Sequence, residues 1–297
     1  MKDLEVKLVN NASKGNLEEV KRLIADGVDV NAQHGRALIE ACYDGYLDVV
    51  EFLISEGADI HVRNDDAIIS ACSNGHLDVV KLLIDAGVNV NSVETLIVAS
   101  KNNHLEVVKY LIAKGVNIHA QNDQALIYAC IRGHLDIIKY LLSQGANIHA
   151  RNDDAIIHAC YKEHLEVVEY LISQGANVNA QDNEALMEAC YSGNLDVVKY
   201  LVSKGADARA QDDKALIIAS RCGHLEVVEY LVSQGADIHA RDDVAIVVAC
   251  TVGYFDTVEY LISQGIDVNA YEGKALEVAC KNGYTDICDI LKEAGAK

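Results

Sequence analysis

The sequence predicts an all-α solenoid, a single array of ten helix-turn-helix repeats running through residues 1–297. Three observations carry that expectation. One phrase, G-H-L-E-V-V-K-Y-L-I-S-Q-G-A-N-I-H-A in its commonest form, recurs ten times, and its second glycine stands at Gly27, Gly57, Gly87, Gly115, Gly145, Gly175, Gly205, Gly235, Gly265 and Gly295. The spacing is 30 residues except between Gly87 and Gly115, where it is 28. A shorter phrase, A-L-I-x-A-C-x-x-G, lies between successive copies. Finally, the chain is 51% hydrophobic yet holds no Pro, no Trp and only two Phe. Its core must therefore be built from Leu, Ile, Val and Ala in helices joined by glycine turns.

Each repeat reads as two antiparallel helices. In the first, Leu38, Ile39, Ala41 and Cys42 space apolar residues by three and four, and Gly45 supplies a left-handed cap. The second has Leu47, Val50, Leu53 and Ile54 as its buried stripe and ends at Gly57. Its first turn is acidic in all ten copies, from Glu18 and Asp48 to Asp256 and Asp286, where the helix dipole favours an anion. Asn103 and Glu163 replace the capping glycine in two copies and should adopt a left-handed backbone. A helix pair cannot cover its own apolar faces, so repeats must stabilise one another and the ends must be polar. Lys2, Asp3, Glu5 and Lys7 fit at one end, and Thr285, Cys288, Asp289, Lys292 and Glu293 at the other. The repeats fall at about 1–32, 33–62, 63–92, 93–120, 121–150, 151–180, 181–210, 211–240, 241–270 and 271–297, leaving nothing for a second domain.

The phrase above, with G-A-N-V-N-A at residues 175–180, resembles the second half of an ankyrin repeat, and the resemblance covers the whole chain. The first half departs from the family. An ordinary ankyrin repeat has about 33 residues and a Thr-Pro-Leu-His stretch after a β-turn finger. Here N-D-Q-A-L-I-Y-A-C, residues 122–130, is shorter and lacks Thr-Pro. The array is thus an ankyrin-type solenoid with truncated β-turn fingers. The finger is expected to be a tight loop in which Asp65, Asp123, Asp153, Asn183, Asp213 and Asp243 cap the first helix. This shortened, proline-free form resembles the mimivirus-like ankyrin arrays of giant DNA viruses of amoebae. The resemblance implies a non-catalytic scaffold that binds protein on the concave side lined by first helices, as a viral protein engaging host factors in the host cytoplasm. It also implies Asn179 and Asn269 as candidate targets of asparaginyl hydroxylation.

The net charge of −20 opposes nucleic acid and anionic membranes as partners and favours a protein that is basic where it docks. No leader or membrane span is evident, so a soluble, cytoplasmic, monomeric protein is expected. Seven of nine cysteines (Cys42, Cys72, Cys130, Cys160, Cys190, Cys250 and Cys280) follow an Ala at one repeat position. They read as free thiols of a reducing compartment. Nine histidines fall in two ladders, His61, His119, His149 and His239, and His76, His104, His134, His164 and His224. Ladder members a repeat step apart, about 10 Å, cannot share a metal, so no metal or cofactor is expected. Tyr128, His158 and Glu188 share one helix position in three repeats, but no nucleophile or oxyanion site accompanies them, and no enzyme is predicted. The glycines end helices and form no phosphate loop.

Compared with one another, the ten copies vary freely at residues 36, 40, 43 and 44 and their equivalents, spaced to share one face of the first helix. Tyr and Arg most often dominate interfaces. The candidate surface is therefore Tyr43, Tyr128, Ile131, Arg132, His158, Tyr161, Lys162, Glu188, Tyr191, Ile218 and Arg221. The alternative is a drifting surface in which residue 40 and its equivalents are half-buried packing positions. Tyr110, Tyr140, Tyr170, Tyr200, Tyr230 and Tyr260, on the second helices, read as structural. Two other functional classes stay open, a self-associating structural protein and, for a fragment of a longer chain, a ubiquitin-ligase substrate adaptor.

Overall fold

The computed structural model describes residues 2–90 and 93–297. The described residues form twenty α-helices and no strand. In chain order the pairs are α1 (Lys2–Ala12) and α2 (Leu17–Ala25), α3 (Ala32–Asp44) and α4 (Leu47–Ser55), α5 (Val62–Asn74) and α6 (Leu77–Asp85), α7 (Val93–Lys101) and α8 (Leu105–Ala113), α9 (Gln124–Arg132) and α10 (Leu135–Ser143). They continue with α11 (Asp154–Tyr161) and α12 (Leu165–Ser173), α13 (Ala180–Ser192) and α14 (Leu195–Ser203), α15 (Ala210–Cys222) and α16 (Leu225–Ser233), α17 (Ala240–Val252) and α18 (Phe255–Ser263), α19 (Ala270–Lys281) and α20 (Thr285–Glu293). The chain divides into two compact units, Met1–Asn147 and Ile148–Lys297. Within each, first helices pack on first helices and second helices on second helices, as the ankyrin-type solenoid requires. The two-residue deletion falls at Asn91 to Glu94; Asn91 and Ser92 lie outside the described residues.

The apolar stripes bury in part as patterned: on the first helix Leu38, Ala41 and Cys42 are fully buried and Ile39 is half-buried. On the second helix Val49, Val50 and Leu53 are fully buried, whereas Leu47 is 40% exposed and Ile54 half-buried. Leu47 opens its helix, and a helical side chain leans toward the N-terminus, so this residue points past the packed turn. Gly45 caps α3 at φ 78°, and Asn103 and Glu163 adopt the left-handed backbone expected of them, at φ 67° and 63°.

The cut-back finger is more than a tight loop. Three consecutive residues near the start of the first helix, such as Arg63-Asn64-Asp65 within the range of α5 and Gln211-Asp212-Asp213 within that of α15, form one left-handed turn before the right-handed helix begins, with φ between 49° and 75° in all such triplets. Gly35 and Gly273 close two of these turns, so glycines do not serve only to end helices. A left-handed L-residue costs about 1–2 kcal/mol, so the turn persists only through contacts that hold it.

Those contacts correct the expected caps. Asp123 and Asp153 are left-handed and make no side-chain cap to α9 and α11. Instead the side chains of Asp123, Asp153, Asn183, Asp213 and Asp243 are buried and accept the backbone N–H of Asn147, Asn177, Asp207, Asp237 and Asp267, each 24 residues on, at 2.8–3.1 Å. The left-handed backbone aims the side chain at the next repeat rather than at its own helix. His61, His119, His149 and His239 donate through Nδ1 to Asp65, Asp123, Asp153 and Asp243 at 2.7–3.0 Å. Where the position is Gly35 or Gly273, Asn31 and Asn269 take over, accepting the N–H of Asp59 and Lys297 at 2.7 and 3.0 Å.

The second histidine ladder staples repeats on the opposite edge. His76, His104, His134 and His224 donate through Nε2 to the carbonyls of Tyr43, Ser73, Lys101 and Tyr191 in the preceding repeat at 2.9–3.0 Å. A Cβ on Gly45 or Gly75 would overlap the His76 or His104 imidazole. Both ladders therefore serve the frame, and among the described residues no three His, Cys, Asp or Glu gather as metal ligands.

At the C-terminal end Cys280 of α19 and Cys288 of α20 form a disulfide, with Cα atoms 5.7 Å apart. Cys280 is thus no free thiol, and Cys288 is buried rather than part of a polar end. The two belong to facing helices of one repeat, inside the distance that separates repeats. Cys42, Cys72, Cys130, Cys160, Cys190 and Cys250 are free and buried, and Cys222 is free and half-buried.

Candidate functional site

In the second unit, α11, α13 and α15 lie side by side and leave a cavity of about 500 Å³ between their variable faces. The i, i+4, i+7 spacing gives α13 and α15 three side chains each there and α11 two. α13 contributes Glu184, Glu188 and Tyr191, α15 Lys214, Ile218 and Arg221, and α11 His158 and Tyr161. Ile157 and Met187 form an apolar floor.

Tyr161 and Tyr191 stand at the rim, 38% and 49% exposed, with ring centroids 6.0 Å apart and planes inclined by 35°. Lys162 Nζ lies 4.4 Å from the Tyr161 ring centroid, a cation–π distance. Lys214 Nζ donates to Gln211 Oε1 at 3.1 Å. The Glu188 carboxylate is half-buried and accepts no hydrogen bond from a described residue. Burial and the neighbouring Glu184 push its pKa up, against the lowering pull of His158.

The sequence-derived candidates separate by unit. His158, Tyr161, Glu188, Tyr191, Ile218 and Arg221 line one cavity, with Lys162 beside it. Ile218 is buried and belongs to its floor, and Glu188 and His158 are half-buried, as packing at that helix position requires. In the first unit Tyr43 is 52% exposed, Arg132 is exposed, and Tyr128 and Ile131 are half-buried. Lys101 Nζ lies 5.4 Å from the Tyr128 ring. Asn179 and Asn269 are exposed and open α13 and α19; the Asn269 amide also donates to Gly295 O at 3.3 Å. Tyr110, Tyr140, Tyr170, Tyr200, Tyr230 and Tyr260 are half-buried on second helices.

Ile157 and Met187 escaped the sequence reading, whereas Glu184 and Lys214, equivalents of residue 36, were on its variable face but outside its candidate set. The first two occupy a helix position that is Ile in six copies (Ile39, Ile69, Ile97, Ile127, Ile157 and Ile217), which marks it as core; Met187 replacing Ile is the signal in the cavity itself. Glu184 and Lys214 sit on the variable face but are neither aromatic nor Arg.

No described helix is long and apolar enough to cross a membrane. No individual protein among the functionally curated ones matches the sequence. Residues 63–122, 96–182, 156–242 and 243–297 match a family model described as ankyrin repeats (3 copies), and residues 12–54 and 38–84 match one described as ankyrin repeats (many copies). With those matches reaching from residue 12 to residue 297 over paired helices and no described strand, the chain belongs to the ankyrin-repeat family, whose members are generally non-catalytic scaffolds for protein–protein interaction.

Proposed function

We propose that this chain docks a protein partner on the variable face of its first helices, with the α11–α13–α15 cavity as the centre of the contact. The observation that carries the reading is the Tyr161–Tyr191 pair, two exposed aromatic rings at the mouth of a cavity with an apolar floor. Large, preorganised aromatic side chains contribute area at low entropic cost. Tyr43, Tyr128, Ile131 and Arg132 give the first unit contact residues of the same kind. The net charge of −20 favours a partner that is basic at its docking surface and raises the encounter rate with it. A monomeric scaffold of viral origin, engaging a host protein in the host cytoplasm, accommodates these features together with the shortened repeats.

Affinity capture from a host lysate tests the reading, with wild type beside a variant carrying Tyr128→Ala, Tyr161→Ala and Tyr191→Ala. Loss of a captured protein with unchanged thermal melting is the expected result. Equal recovery by both forms refutes the surface.

A further inference from the structure

The cavity holds two carboxylates to which no described residue donates, beside the cations Lys214 and Arg221. Glu188 is half-buried above Met187, one helical turn from Glu184, and no described residue donates a hydrogen bond to either carboxylate. The cations of α15 do not reach them within ion-pair distance: Lys214 is turned to Gln211, and no salt bridge forms to Arg221. A partly desolvated carboxylate without a donor is unfavourable, and a charge-assisted donor from outside removes that penalty. Ile157, Met187 and Ile218 meanwhile offer an apolar bed of the kind along which a long basic side chain lays its methylene stem.

Resting on the docking function above, we propose that the cavity receives a single arginine or lysine side chain of the partner protein, its stem over Ile157, Met187 and Ile218 and its cationic head on Glu188 and Glu184. The partner thus presents a protruding basic residue on an otherwise apolar or aromatic patch. Burial that raises the Glu188 pKa marks the same carboxylate as the group most in need of a counter-charge.

Only Met1 and Met187 are methionines, so a ¹³C-methyl methionine label reports this cavity through one assignable signal. The full chain is titrated with N-acetyl-arginine amide, with its uncharged citrulline analogue and with N-acetyl-glutamate amide, each to about 50 mM, a range that captures millimolar binding. The expected result is a saturable shift of the Met187 methyl with the arginine probe alone, weakened about tenfold in Glu188→Gln. Equal response to citrulline, a larger response to glutamate, no saturable shift, or an unchanged affinity in Glu188→Gln overturns the proposal. A partner captured by wild type, lost with Tyr161→Ala and Tyr191→Ala but retained by Glu188→Gln, leaves the docking function standing while removing the basic anchor.

Discussion

Replacing Asp243 should separate the two jobs of the left-handed turn. Its buried carboxylate accepts the Asp267 N–H at 3.1 Å and the His239 Nδ1–H at 2.7 Å, on a residue at φ 56°. Asp243→Ala removes a charged acceptor from a buried N–H, worth about 1.5–3 kcal/mol, and puts a side chain that dislikes φ > 0 into that region, roughly 1 kcal/mol more. The expected loss is about 2.5–4 kcal/mol. Asp243→Gly relaxes the backbone and loses only the acceptor, so it should be milder by about 1 kcal/mol. The chain already contains the remedy, since Asn31 and Asn269 accept the equivalent N–H where the turn ends in Gly35 and Gly273. Combining Asp243→Gly with His239→Asn should therefore recover at least about 1 kcal/mol relative to Asp243→Gly alone. Urea unfolding followed by the helical circular-dichroism signal measures the stabilities, and native-state hydrogen exchange at the Asp267 amide localises them. Unchanged protection of that amide in Asp243→Ala, or a double variant no more stable than Asp243→Gly, refutes the clamp.

Gly45→Ala should destabilise by about 1–2 kcal/mol, because a Cβ there overlaps the His76 imidazole and φ is 78°; adding His76→Ala should relieve the overlap and leave only the backbone penalty, read from urea midpoints. The raised pKa of Glu188 means the folded chain holds this proton more tightly than the unfolded one, so its contribution is fully present below the unfolded pKa and lost as pH rises through the folded one. Glu188→Gln should thus be more stable than wild type at pH 7 and lose that advantage toward pH 4, and a pH-independent difference would refute this assignment. Thiol titration of the native chain should find Cys222 reactive and Cys72 and Cys250 silent until unfolding, since burial pushes the latter two up to about 12. Reducing the Cys280–Cys288 disulfide, which spans eight residues, should lower C-terminal stability by about 2–3 kcal/mol, with exchange of α20 amides as the readout.

The repeat, the helix pair and its glycine cap were legible because each rests on local rules that recur in phase, and Gly45 and Glu163 have the backbone those rules demand. The left-handed triplet was not. Asp213 fits an N-cap pattern by spacing, and only the backbone sign shows that its carboxylate faces Asp237 instead. Spacing sorted the histidines into two ladders, but their staple to the preceding repeat needs a contact 31 to 33 residues away that no periodicity reveals. Of the candidate surface, Tyr161, Tyr191 and Arg221 were readable as variable, interface-prone residues on one helix face. Met187 was hidden because its position is core in composition and becomes a cavity floor only where α11, α13 and α15 meet.

The two clamp systems also explain why variation concentrates where it does. Each ties successive repeats through the turn before the first helix or through the glycine cap after it, using residues at 31, 35, 45 and 76 and their equivalents. Residues 36, 40 and 43 and their equivalents take no side-chain part in either clamp, although Ser73 Oγ and Asp154 Oδ1 accept bonds from Asn102 and Gln181 of the next repeat: even where His76 and His224 bond to Tyr43 and Tyr191, they take the carbonyl, which any residue supplies. Side chains there can change without loosening either clamp. A surface held by main-chain acceptors on one side and buried small residues on the other is free to present Tyr161, Glu188 or Arg221 as binding requires. The same separation predicts that exchanging Tyr191 for Ser leaves the His224 staple intact, as Ser73 already shows beneath His104.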